Sequence, residues 1–234
     1  AICEWLACIV YLAVIYRRVP RHRTVAASAI GLFAMIGIQY LAGMMPLWLW
    51  TFGMLLAFLV MYLIVLFGAG TGKREGLYIA ARAFVLAELV ASLHWQLATF
   101  MGVRDSLSQF EWQSVVTLAL TYAACFALAW MAERGNFSSE EPTGVTAQLA
   151  VATVAITIVT FAMSNLSFVS TNTPFSGSVG QEVFYIRTLV DLCGFVLLYA
   201  QQEQARRLEA SAELASINAQ LKSQHQEYLA SKEN

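Results

Sequence analysis

Long apolar runs, separated only by short polar connections, constrain this chain more than any other feature. A helix needs about 20 mostly apolar residues to cross the hydrocarbon of a bilayer. Lipid offers backbone N–H and C=O groups no partner, so a spanning segment must satisfy its own hydrogen bonds. The stretches 1–16, 24–44, 47–67, 77–101, 112–132, 145–167 and 182–200 meet that description, the first being short. The chain is 59% hydrophobic and 12% charged. A soluble domain carries about 25% charged residues, so these runs are too many and too apolar for ordinary cores. The expected fold is an all-α membrane protein with a bilayer as its solvent: seven transmembrane helices over 1–200, then a cytoplasmic helix over 201–234.

The cationic residues set an orientation. Lys and Arg gather in cytoplasmic loops. With the N-terminus outside and the C-terminus inside, Arg17, Arg18, Arg21, Arg23, Lys73, Arg74, Arg134, Arg206, Arg207, Lys222 and Lys232 all fall inside. Only Arg104 falls outside, while Arg82 and Arg187 fall within spans. The net charge of −1 gives no electrostatic reason to bind nucleic acid. Cys3, Cys8, Cys125 and Cys193 sit in apolar runs without a CxxC pair, so they read as packed free thiols and not as a metal site or disulfide framework. Gly68 to Lys73 has the wrong spacing for a phosphate loop and follows a span instead of a strand. No nucleophile–base pair or carboxylate dyad stands out, and no cofactor is expected in this chain.

Ionisable residues within spans are expensive in lipid and are therefore candidates for function. The fourth span carries Arg82, Glu88 and His94; the seventh carries Arg187 and Asp191. Glu88, Ser92, Trp95, Gln96 and Thr99 share one helical face, and Arg187 and Asp191, four residues apart, share another. Counting along the helices puts Glu88 and Asp191 near mid-membrane, with Arg82 closer to the inner boundary, where its stem can reach outward to water. The sharp expectation is an outward-open cavity in which Arg187 bridges Glu88 and Asp191. Ser92, Trp95 and Gln96 would line it, with Phe168 and Phe175 from the long outer connection nearby. The plain alternative, equally compatible with the residues, is a buried ion pair that only fixes how helices pack. His94 reads as a packing residue.

From Gln201 the composition turns to Glu, Gln, Ala, Arg, Leu and Lys, with no Pro or Gly, which favours a helix. Leu214, Ile217, Leu221 and Tyr228 fall at a, d, a and a heptad positions with Gln224 at the intervening d; Leu208, six residues before Leu214, breaks the register. A parallel homodimeric coiled coil buries such a stripe most simply. A solvated helix lying on the membrane part is the alternative. The chain begins without Met and ends on SKEN, and is expected to continue past Asn234.

Several segments resemble bacterial sensor histidine kinases with a GHKL-type ATPase domain: "ARAFVLAELVASLHWQL" (Ala81 to Leu97), "SNLSFV…NTPFSG" (Ser164 to Gly177), "IRTLVDLCGFVLLYAQQEQ" (Ile186 to Gln204) and "AQLKSQHQEYLASKEN" (Ala219 to Asn234). The resemblance covers the fourth, sixth and seventh spans and the tail. It implies the membrane sensor part of a two-component kinase in the bacterial cytoplasmic membrane. Such a part would detect an extracellular ligand, in this family often a quorum-sensing peptide. ATP and Mg would belong to a kinase domain beyond this chain, as would the response regulator partner. The family's phosphorylated histidine has no counterpart here, since His225 lies within the linker-like stretch. The rival readings are a small transporter or channel with a dimerising tail, for which the buried charges would couple ions, and a scaffold without a small ligand.

Overall fold

A computed structural model describes residues 1–15, 18–44, 47–100, 112–137, 145–171 and 181–233. Among them there are helices and no strands: α1 (Ile2–Val14), α2 (Arg21–Gly43), α3 (Leu47–Ala69), α4 (Lys73–Phe100), α5 (Trp112–Phe137), α6 (Ala147–Thr171) and α7 (Gln181–Glu233). The helices begin and end where local chemistry permits. Thr146 accepts the Leu149 N–H on its hydroxyl at 3.2 Å and caps the start of α6. Between α3 and α4 the backbone of Gly70 turns through φ +69°, and an added Cβ there would press on Val19; only glycine takes that turn without strain.

Five helices contain stretches long and apolar enough to cross a membrane: Arg21–Gly43, Trp50–Ala69, Lys73–Phe100, Trp112–Arg134 and Ala147–Leu166. Among the described residues no such stretch is found in the other two expected spans. At 13 residues, α1 is only about 20 Å long. The apolar run of α7 starts among residues whose side chains lie outside the described set, and it carries Arg187 and Asp191 before giving way to Gln201 and Gln202.

The chain divides into two units, Ala1–Phe195 and Val196–Asn234. In the first, α4 is the central helix, packed against α1, α3, α5 and α6, while α2 packs chiefly on α3. The small side chains Ala80, Ala81, Ala83 and Ala87 are all buried on α4. They let neighbouring backbones come close, which is how helices associate when lipid removes the hydrophobic drive. Phe84 of α4 lies edge-on to Phe58 of α3 at 5.6 Å and tilted to Phe161 of α6 at 5.5 Å. Side-chain to backbone bonds tie helices together: Trp5 Nε1 donates to the Ser28 carbonyl at 3.0 Å, Thr24 Oγ1 to that of Gly68 at 2.7 Å, and the Cys3 thiol to that of Ala87 at 3.2 Å.

The outside of this bundle is apolar. Phe33 of α2, Phe52, Leu55 and Leu59 of α3, Leu120 and Leu128 of α5, and Val151 and Ile158 of α6 are all exposed, while Arg82, Glu88, Glu133 and Asp191 are buried. Polar inside and apolar outside is the distribution that lipid selects and water penalises. In the second unit, α7 is helical to Glu233, with Leu208, Leu214, Ile217, Leu221 and Tyr228 exposed along it.

Candidate functional site

Glu88 and Ser92 stand one turn apart on α4, and Arg187 and Asp191 stand one turn apart on α7. The structure brings all four together. Arg187 donates from Nη2 to Glu88 Oε2 at 2.6 Å and from Nε to Ser92 Oγ at 2.8 Å. The Ser92 hydroxyl in turn donates to Asp191 Oδ2 at 2.5 Å. The direct approach of Arg187 Nε to Asp191 Oδ2 is longer, 3.9 Å. Ser164 of α6 faces the same Asp191 carboxylate, so three helices converge on one polar knot. It is shut away from solvent, with Glu88 and Arg187 each 5% exposed and Ser92 and Asp191 at 0%.

Two carboxylates therefore share one guanidinium, unequally. Glu88 holds the short charge-assisted bond, and Asp191 is reached mainly through the Ser92 hydroxyl. Such bonds are strong in a low-dielectric interior, and the desolvation cost of the charges makes any unpaired member expensive. A cation with two anionic partners has two pairings open to it, and here the shorter one is to Glu88.

The other expected residues do not join this knot. Trp95 is half-buried, its ring tilted 56° to that of His94 at 6.1 Å. Gln96 is half-buried, and its Oε1 has no hydrogen-bond partner among the described residues. Thr99 donates to the Trp95 carbonyl within its own helix at 2.8 Å. Phe168 belongs to α6, with its side chain outside the described set, and Phe175 lies outside the described residues. His94 is buried and meets Tyr122 of α5 edge-on at 5.9 Å. Among the described residues the four cysteines are free thiols and no group of His, Cys, Asp and Glu is placed to hold a metal ion.

A second buried charge cluster, which the sequence reading missed, lies on a different face of α4. Arg82 is 2% exposed and does not reach toward the boundary as expected. It pairs with Glu133 of α5, lies near the Tyr78 hydroxyl at 3.4 Å, and sits over the Tyr78 ring. Tyr11 of α1 donates to the same Glu133 carboxylate at 2.9 Å. Glu133 lies one residue past the end of the expected fifth span. The available signal was that Arg82 needs a buried anion, and Glu133 is the only acid in α5. Glu4, also overlooked, accepts a bond from Gln39 of α2 at 2.5 Å. The two clusters differ in kind: Arg82 and Glu133 are matched one to one, while Arg187 faces two acids. No family model matches the chain, and neither a curated protein nor a solved structure matches it.

Proposed function

We propose that this chain is the membrane receptor part of a bacterial sensor histidine kinase with a GHKL-type ATPase domain. In this reading it spans the cytoplasmic membrane seven times, N-terminus outside and C-terminus inside, and pairs with a second copy through the cytoplasmic part of α7. The ligand is extracellular, with a peptide as the class the resemblance suggests. ATP, Mg and the response regulator belong to the kinase domain and not to this chain.

One observation carries the reading: the helix that bears Arg187 and Asp191 is the same helix that continues to Glu233 with a stripe of exposed apolar residues. A change in the pairing of Arg187 is therefore a change in the setting of α7. A ligand acts on such a system only through its differential affinity for the two arrangements. About 5.5 kcal/mol of difference takes a two-state equilibrium from 1:99 to 99:1. A bound group that draws Arg187 away from Glu88 or bonds the open Gln96 carbonyl supplies a difference of this sort. The rotation or tilt of α7 then passes to the coiled coil, where the register break between Leu208 and Leu214 gives two packings a place to compete.

The test is a chimera. The chain is joined in heptad register to the dimerisation and catalytic half of a well-behaved histidine kinase and placed in membranes. Autophosphorylation should change at least threefold in Arg187→Gln and in Asp191→Asn at equal membrane abundance. Unaltered output in both variants overturns the reading. The cluster of two acids and one base also suits an ion-coupled transporter. That rival requires pH- or sodium-driven flux in liposomes holding the chain without any kinase, and such flux lost in Asp191→Asn would favour it.

A further inference from the structure

Away from the buried charges, a groove of about 470 Å³ runs between α2 and α3. Its α2 wall is low at Ala27, Gly31 and Ala34 with Ile30 standing up between them, and its α3 wall is tall, with Leu63 and Phe67. One charged side chain, Arg23, stands at its end. The register of the two helices places that end at a membrane boundary: Thr24 at the start of α2 bonds the Gly68 carbonyl at the finish of α3, 2.7 Å away, and the Arg18 N–H bonds the Ala69 carbonyl at 2.9 Å.

The length of the groove is informative. From Arg23 to Ala34 is about 16 Å at 1.5 Å per residue, close to half of the roughly 30 Å hydrocarbon thickness. It therefore covers one leaflet and stops near the midplane. A partner helix would need a track across the whole bilayer, whereas an acyl chain needs only one leaflet. Arg23 is exposed and makes no ion pair among the described residues, unlike Arg18, whose guanidinium lies 3.3 Å from Glu75. A guanidinium at this depth matches phosphate with a fork of parallel donors, and basic sites between spans at the cytoplasmic side take anionic headgroups.

We propose that the α2–α3 groove binds one acyl chain of an anionic glycerophospholipid, whose headgroup phosphate sits on Arg23. The inference rests on the chain spanning the membrane with the start of α2 at the cytoplasmic face, and on nothing about a kinase. The low wall admits the chain, the tall wall shields it, and the charge selects the headgroup. Lipid bound there fills the outer seam between α2 and α3.

The full chain, purified in mild detergent, is mixed with phosphatidylglycerol or phosphatidylcholine and examined by native mass spectrometry. Wild type should retain one phosphatidylglycerol per chain in preference to phosphatidylcholine. Arg23→Gln should lower that retention at least fivefold, and Arg23→Lys should keep part of it. Ala34→Trp, which fills the groove, should abolish retention of both lipids with helical circular dichroism unchanged. Equal retention of the two lipids, or indifference to Arg23→Gln, overturns the headgroup contact. Indifference to Ala34→Trp overturns the groove as the site, and a loss of dimer in that variant without loss of lipid assigns the groove to a second copy instead. Release of the chain from membranes by alkaline carbonate would instead remove the membrane reading itself, an outcome separate from all of these.

Discussion

Arg82 and Arg187 are both guanidiniums buried on helices of the bundle, and each dictates what its neighbours cost when changed. Removing one member of a buried ion pair strands the other and costs about 3–5 kcal/mol, whereas replacing both by apolar residues is often nearly neutral. Arg82→Met should therefore lower thermal stability in detergent sharply, and Arg82→Met with Glu133→Leu should recover most of the loss; a double variant no better than the single would show that Tyr11 and Tyr78 carry the site instead. Around Arg187 the ranking is different. Ser92→Ala removes a hydroxyl that bridges Arg187 to Asp191, at a cost of about 1–3 kcal/mol for the groups left unsatisfied. Arg187→Met strands two carboxylates, so it should cost more than Ser92→Ala, and thermal unfolding of the two purified variants gives the order directly. The sequence made Glu88, Ser92, Arg187 and Asp191 visible because a spacing of four puts each pair on one face of its helix. It hid Glu133 because that residue follows an apolar run and reads as a boundary charge, although it is 0% exposed.

At the level of elements, the helices were legible and their neighbours were not. Runs such as 47–67 and 112–132 reappear as Leu47–Ala69 and Trp112–Phe137, since a long apolar stretch has one way to satisfy its backbone in lipid. Which helix is central could not be read from apolarity. The more apolar α3 exposes Phe52, Leu55, Leu56 and Leu59, whereas α4, less apolar, is the most buried. Lipid is as apolar as a protein core, so burial follows small residues and polar partners instead. Gly194 of α7 shows what that closeness demands. A Cβ built there would lie 3.0 Å from Thr160 Cβ and closer still to its Oγ1 and Cγ2. Alanine gains up to about 1 kcal/mol of helix propensity over glycine, but Thr160 is stiff at χ1 and cannot swing aside freely. The collision, about 1–3 kcal/mol for overpacking of this kind, should win. Gly194→Ala is expected to lower the melting temperature, and adding Thr160→Ala, which removes the nearer Oγ1 and Cγ2 but keeps the Cβ, should restore part of it. A stabilised Gly194→Ala protein would mean that α6 and α7 yield to one another easily.

At the scale of the whole molecule, a single copy leaves the apolar stripe of the second unit facing water. Leu214, Ile217, Leu221 and Tyr228 are 63%, 45%, 57% and 64% exposed, on a helical stretch whose other residues are mostly polar. A lone helix in water draws little stability from propensity, and burying this stripe in a parallel pair supplies the missing packing. The charge pattern does not oppose pairing, since Glu213 and Glu227 fall at g positions, opposite Asn218 and Lys232 at e positions of a parallel partner. Cysteine cross-linking in native membranes tests the arrangement, in a Cys193→Ala background because Cys193 is itself exposed on α7. Ile217→Cys and Leu221→Cys, at d and a, should form disulfide-linked dimers on mild oxidation, and Lys222→Cys, at an outward b position, should form several-fold less. Gln224→Leu removes the polar d residue, so it should raise the dimer fraction at the other positions. Equal cross-linking at Lys222→Cys would mean random collision. Strong cross-linking at 222 with none at 217 would mean a pairing through the opposite face. Either result would detach the fate of Arg187 from anything beyond the membrane, because only a pair held along this stripe can turn a rotation of α7 into a change between two copies.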